Sequence, residues 1–94
     1  MTREPLKPQA VKKFLRKILS EGKVIFSGHS LEEIKNDDLT TQDCLNVLRG
    51  GVVETSELRD GTWRYRVSTA RICVVIAFRS ETICAVVTVW RIKK

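Results

Sequence analysis

Residues 62–91, TWRYRVSTARICVVIAFRSETICAVVTVWR, decide the fold class. Polar and apolar residues alternate through Trp63, Arg64, Tyr65, Arg66 and Val67, Arg71–Arg79 is almost wholly apolar, and Thr82–Arg91 is a second long apolar-rich run. Period-two alternation marks strands, and an unbroken apolar run bounded by turns suits a central strand covered at least partly on both faces. Thr69-Ala70 and Ser80-Glu81 are short polar or small connections that fold such runs back on one another. Upstream, Val52–Leu58 is a further strand, closed by Arg59-Asp60-Gly61, a turn whose glycine can take positive φ. The expected sheet is a four-stranded antiparallel meander from Val52 onward.

Working back toward the N-terminus, the period changes. Pro5 and Pro8 mark an extended or turn-like lead-in. Val11, Phe14, Leu15, Ile18 and Leu19 then recur at the i, i+3, i+4, i+7, i+8 spacing of an amphipathic helix, with Lys12, Lys13, Arg16 and Lys17 on its other face and Gly22 as its stop. Lys23–Phe26 is a short β-prone piece. Ser30 with Glu33 forms a capping-box pattern for a short helix at about 31–36. Thr40 with Asp43, or Thr41 with Cys44, opens another helix with Leu45, Val47 and Leu48 as its apolar positions, ended by Gly50-Gly51. The expectation is one α+β domain spanning 1–94: a lead-in over 1–9, a helical half over 10–50 and an antiparallel sheet over 52–92. Two or three helices pack on one face of that meander.

Ninety-four residues form one core rather than two. The apolar runs fall short of the roughly 20 residues that cross a bilayer, and MTREPLKPQ has no secretory pattern, so the cytoplasm is the expected compartment. Cys44, Cys73 and Cys84 are an odd number without CxxC spacing, the pattern of buried inert thiols rather than of disulfides or zinc. The formal charge is +6 and its layout is uneven. Residues 1–24 and 62–94 are strongly basic and 25–61 are acidic, a field that favours polyanions or an acidic partner protein.

With Ser80-Glu81 as the tip, Ile72, Val74, Ile76 and Phe78 face Val89, Val87, Ala85 and Ile83. With Thr69-Ala70 as the other tip, Trp63, Tyr65 and Val67 join the same apolar face, which the helices must cover. The opposite face then gathers Arg64, Arg66, Ser68, Arg71, Cys73, Val75, Ala77 and Arg79 with Cys84, Val86, Thr88 and Trp90. Guanidinium grips phosphate as a planar fork, and an exposed Trp offers a stacking surface for an unpaired base, which suits single-stranded RNA. The competing reading is surface ion pairing, with Glu54 set across the strand from Arg66. Arg91 falls on the core face at the end of the sheet, free to turn to either side, and Lys12 and Arg16 on the first helix are further candidate phosphate contacts.

For chemistry, the sequence holds no metal-site, nucleotide-loop or Ser-His-Asp pattern, and no cofactor is expected. What it could support is metal-free RNA cleavage, in which the ribose 2′-hydroxyl attacks the adjacent phosphate and the protein supplies a base, an acid and cations. His29 is the one side chain whose ordinary pKa suits proton transfer near neutrality. Arg64, Arg66, Arg71 and Arg79 would hold the phosphate. Tyr65 has an acidic hydroxyl, although the face assignment buries it.

The run KVIFSGHSLEEI with His29 entering a helix, then DCLNVLRGGVVE, WRYRV, RICVVIAFR and AVVTVWR, resembles small bacterial toxin-like domains related to the MqsR and BrnT toxins, within the broad RelE-like class of ribonuclease folds. The resemblance covers about residues 10–92. It implies a metal-independent endoribonuclease, the toxin of a bacterial type II toxin–antitoxin pair that acts on single-stranded or ribosome-associated message and is neutralised by an acidic antitoxin. The matching positions are His29, Arg64, Tyr65 and Arg79, with Trp90 and Arg91 closing the last strand. Two other functions fit the same residues: a non-catalytic RNA- or DNA-binding module on the arginine face, and a protein-interaction domain docking through the Trp90 strip.

Overall fold

A computed structural model describes residues 3–92, so the first two residues of the lead-in lie outside it. The order of elements is α1 (Pro8–Glu21), β1 (Lys23–Phe26), α2 (Gly28–Asn36), α3 (Thr41–Gly50), β2 (Val52–Arg59), β3 (Thr62–Ser68), β4 (Ile72–Phe78) and β5 (Ile83–Arg91). Pro8 begins α1, where its missing N–H costs nothing and its φ is already helical. Gly22 ends it because the chain turns hard against Thr82, just before β5: a Cβ there would clash with the Thr82 carbonyl oxygen. The capping box at α3 forms as its spelling implies, with Thr40 and Asp43 each accepting from the other's backbone N–H. At the β2–β3 turn both Asp60 (φ 51°) and Gly61 (φ 78°) are left-handed, the Asp-Gly geometry that matches strand twist.

The fold is α+β, with three helices and a mixed sheet of five strands in the order β1-β5-β4-β3-β2. The meander β2–β5 is antiparallel, as the strand pattern implies, but the four-stranded expectation is corrected by β1, which pairs in parallel with β5. Four residues are too few to show a strand period; what recruits them is the outer edge of β5. β1 pairs with Ile83–Val86. Beyond it, Ser27 Oγ donates to the Val87 carbonyl, Glu33 Oε1 accepts from Val89 N at 3.0 Å, and Asp37 Oδ2 accepts from Arg91 N at 2.8 Å. A short strand, a carboxylate of α2 and the carboxylate of its C-cap Asp37 therefore complete the edge that a meander alone would leave open. α2 thus flanks β5, while α1 and α3 cover the sheet.

α2 itself begins earlier than expected. Ser27, not Ser30, is its N-cap, its hydroxyl accepting from Ser30 N at 3.0 Å. His29 is therefore inside the first helical turn, and Glu33 is free to bond β5 instead of closing a capping box.

Two registers differ from expectation. β3 and β4 are joined by Thr69-Ala70-Arg71, with Thr69 Oγ1 accepting from the N–H groups of Arg71 and Ile72. Val67 consequently faces Val74, not Ile72. This slip of two leaves every side chain on its expected face. Between β4 and β5, Val74 faces Val89 and Val75 faces Thr88, again a slip of two, but a bulge follows and Ile76 faces Val86. The bulge reverses the first half of β5: Cys84 and Val86 belong to the core, and Ala85 turns to the other side. The core joins Val11, Leu15 and Ile18 of α1, Ile34 of α2, Cys44, Val47 and Leu48 of α3, and Tyr65, Val67, Val74, Ile76 and Phe78 of the sheet. Among the described residues no helix is long and apolar enough to cross a membrane.

Candidate nucleic-acid interface

The sheet face turned away from the core carries Arg64, Arg66 and Ser68 from β3, Cys73, Val75 and Ala77 from β4, and Ala85, Thr88 and Trp90 from β5. Arg66 pairs with Val75 and Trp90 with Cys73, so the two long side chains reach toward each other across β4. The Arg66 guanidinium carbon stands 5.2 Å from the centroid of the Trp90 ring, within range of a cation–π contact. On this face Cys73, opposite Trp90, and Ala77, farther along β4 and opposite Ala85, are each only 2% exposed although no helix covers this side. Burial pushes the Cys73 thiol up to about 11, Arg66 pulling the other way and Glu54 reinforcing the rise. At neutral pH it is a packed thiol and not a nucleophile.

Arg64 lies beside Glu57 in register and its Nε is buried with no acceptor. Neither Arg64 nor Arg66 is in an ion pair among the described residues; the pairs that form are His29–Glu33 and Arg59–Glu57. The Glu54–Arg66 pair is not made. A bulge between Val53 and Ser56 carries Glu54 to the Ser68 hydroxyl, whose hydrogen bond it accepts. The two guanidinium groups thus keep open hydrogen-bonding capacity, although Glu54 and Glu57 flank them.

The remaining candidates do not converge on that pair. Arg71 precedes β4, at the end where Trp90 lies, and Arg79 follows β4; eight positions of strand separate them, about 26 Å. The expected set of four arginines around one floor is therefore a pair, Arg64 and Arg66, with Arg71 at one end and Arg79 at the far end. Arg91 does not swing free: its guanidinium donates to the carbonyls of Asp37 (3.0 and 3.2 Å) and Asp38 (3.2 Å), fastening the end of α2. Lys12 and Arg16 stand on α1, on the other side of the sheet, and Lys12 Nζ donates to the Gly51 carbonyl at 2.6 Å. Tyr65 is 1% exposed. Its hydroxyl donates to Glu4 Oε2 at 2.7 Å and accepts from Leu6 N at 3.0 Å, and burial pushes it up to about 12. It anchors the lead-in to the core, out of reach of any ligand.

His29 is open to solvent, with 68% of its side chain exposed, and its Nε2 lies 3.4 Å from Glu33 Oε1. That same oxygen accepts from the Thr88 hydroxyl and from Val89 N. Thr88 faces Val75, which faces Arg66, so two inter-strand steps, about 10 Å, separate Arg66 from the margin where His29 is tethered. Glu33 is the functional candidate that the sequence reading missed. Its spacing of four from His29 was the available signal, masked by its fit to a capping box. Among the described residues no group of three or more His, Cys, Asp or Glu side chains is placed to hold a metal ion. No protein-family model, curated protein or solved structure matches the chain.

Proposed function

We propose that the uncovered face of the sheet binds single-stranded RNA, with Arg66 and Trp90 as its centre. The observation that carries this reading is the Arg66–Trp90 contact on a face that no helix covers. A base stacks on the indole or on the guanidinium plane, while Arg66 and Arg64 donate to the adjoining phosphates, neither being neutralised by an ion pair among the described residues. Single strands suit the site because a flat pleated surface reads splayed bases, whereas duplex recognition needs an element that enters a groove. Arg71, near Trp90, would extend the phosphate track.

A second reading, metal-free cleavage by the toxin of a toxin–antitoxin pair with an acidic partner, rests on one observation, the His29–Glu33 pair at the margin of the same face. Glu33 would orient the imidazole, and His29 would take the proton of a 2′-hydroxyl as its oxygen bonds to phosphorus, the P–O5′ bond breaks and the 5′-oxygen leaves with a proton from solvent water.

The test is fluorescence anisotropy of a labelled single-stranded RNA against a labelled RNA duplex, in EDTA, over a salt series. The expected result is preference for the single strand, a fall in affinity with salt, and a loss of about tenfold or more in Arg66→Ala and Trp90→Ala. No binding at low salt, or unchanged binding in both variants, overturns the proposal. Cleavage of the same RNA that disappears in His29→Ala would establish the second reading; intact RNA after binding would leave the first alone.

A further inference from the structure

A half-open cleft of about 350 Å³ lies between α1 and α3, on the helical side of the molecule, lined by Lys12, Arg16, Leu19, Ser20, Leu48 and Arg49. Its volume is at the small end of the roughly 300–1,000 Å³ found for ligand sites. Leucines supply its floor: Leu48 is buried in the core and Leu19 packs against that core from the surface. Its walls are cationic, with two guanidinium groups, one ammonium and no carboxylate. Among the described residues none of the three basic side chains is in an ion pair. Lys12 is held in place by its bond to the Gly51 carbonyl at 2.6 Å, which also occupies the backbone oxygen nearest the end of α3. Arg49 has only a long 3.4 Å contact with Asn46, and Ser20 leaves a hydroxyl at the rim.

We infer that this cleft is a binding site for a small amphipathic organic anion, whose carboxylate or phosphate head meets Arg16 and Arg49 while its apolar body lies on Leu19 and Leu48. Both halves of that description are required by the lining. Cations with no counter-charge raise the local concentration of anions, and paired guanidinium groups on two helices give the head a charge-assisted grip. The leucine floor gains by shedding water onto an apolar body and gains nothing from inorganic phosphate. The absence of an aromatic side chain in the lining disfavours a nucleobase as that body. The site is separated from Arg66 and Trp90 by the sheet itself, so it stands or falls apart from RNA binding.

The experiment uses the full chain and decanoate, a carboxylate on an unbranched apolar chain, followed by backbone amide NMR shifts. Saturable one-to-one binding that moves the amides of residues 12–20 and 48–51 is expected, weakened about tenfold or more in an Arg16→Gln, Arg49→Gln double variant, since each guanidinium lost removes a charge-assisted bond. Inorganic phosphate should fail to displace decanoate. No saturation at millimolar decanoate, shifts centred on Arg66 and Trp90, affinity unchanged in the double variant, or equal competition by inorganic phosphate would each overturn the assignment. Both substitutions are on exposed positions, so folding of the variant is not in question, and its unchanged spectrum elsewhere checks that.

Discussion

On the helix side of the sheet Tyr65, Val67, Val74, Ile76 and Phe78 are buried beneath helices, whereas on the opposite side Cys73, Val75, Ala77 and Ala85 are buried with no helix above them. The two sides exclude water by different means. The first uses large side chains interdigitated with those of α1 and α3, a cover that cannot lift without unfolding. The second uses small residues on a shallow floor, roofed by side chains of the sheet itself, Arg66 and Trp90 among them. One side is closed by tertiary packing, and the other, which carries the proposed RNA site, is not. The difference follows from which residues the strands place on each side.

The largest expected effect is alkaline. Burial raises Cys44 and Cys73 to about 11 and Cys84 and Tyr65 to about 12, from ordinary values of 9.0 for the thiols and 10.0 for the tyrosine. Each folded-state pKa is raised, so the native protein holds protons that the unfolded chain releases. Their contribution is complete below about pH 9 and is lost as pH climbs toward 12. Urea midpoints measured in reductant should therefore be unaffected by these groups up to pH 9 and fall steeply above it. Cys84, enclosed on the helix side, is raised further than Cys73, which Arg66 pulls back, so Cys84→Ala should flatten that fall more than Cys73→Ala does; equal flattening would erase the distinction between the faces.

Next in size is packing. Ile76→Ala, beneath the helices, should cost about 2–5 kcal/mol in urea denaturation, through lost transfer energy and the cavity left behind. Val75→Ala, its neighbour on the other side, should cost less than about 2 kcal/mol because Arg66 and solvent can settle into the space. Similar losses at both positions would mean that the open side is as tightly held as the core.

Tyr65→Phe keeps the ring and removes the hydroxyl, leaving the Leu6 N–H buried without its acceptor; about 1–3 kcal/mol should be lost. A loss within error would show that the lead-in is not fastened to the helix side. The smallest effect concerns the open side. Glu54→Gln keeps an acceptor for Ser68 but removes a negative charge beside Arg66, and should strengthen binding of single-stranded RNA about two- to fivefold at low salt, with little change at high salt. Weaker binding would assign Glu54 to the ligand instead of against it.

Much of this could be read from local pattern. The α1 stripe, the Thr40–Asp43 capping box and the Asp60-Gly61 turn act within one or two turns of chain, so the residues that cause them are adjacent in sequence. Arg64, Arg66 and Trp90 were also placed on one face correctly, because slips of two residues preserve side-chain direction. Cys84 and Val86 were not, since Ala85-Val86-Val87 is apolar throughout and nothing in it marks where a bulge falls. Arg71 and Arg79 had the right parity, but they lie at opposite ends of β4, in the loops that flank it. Arg91 could not be assigned because its partners are backbone carbonyls of Asp37 and Asp38, just past the end of α2, which carry no sequence signal.

Residue order alone determined that the helices precede the meander, where the meander begins, and which side of β3 is charged, because hydrophobic period and turn chemistry are properties of neighbouring residues. Only the tertiary structure decided that Lys23–Phe26 is a strand, that Glu33 and Asp37 complete the edge of β5, and that His29 is thereby tethered at the β5 margin. Those facts depend on hydrogen-bond donors and acceptors brought together across more than fifty residues of chain, and contacts made at that separation are chosen by the packing of the whole molecule.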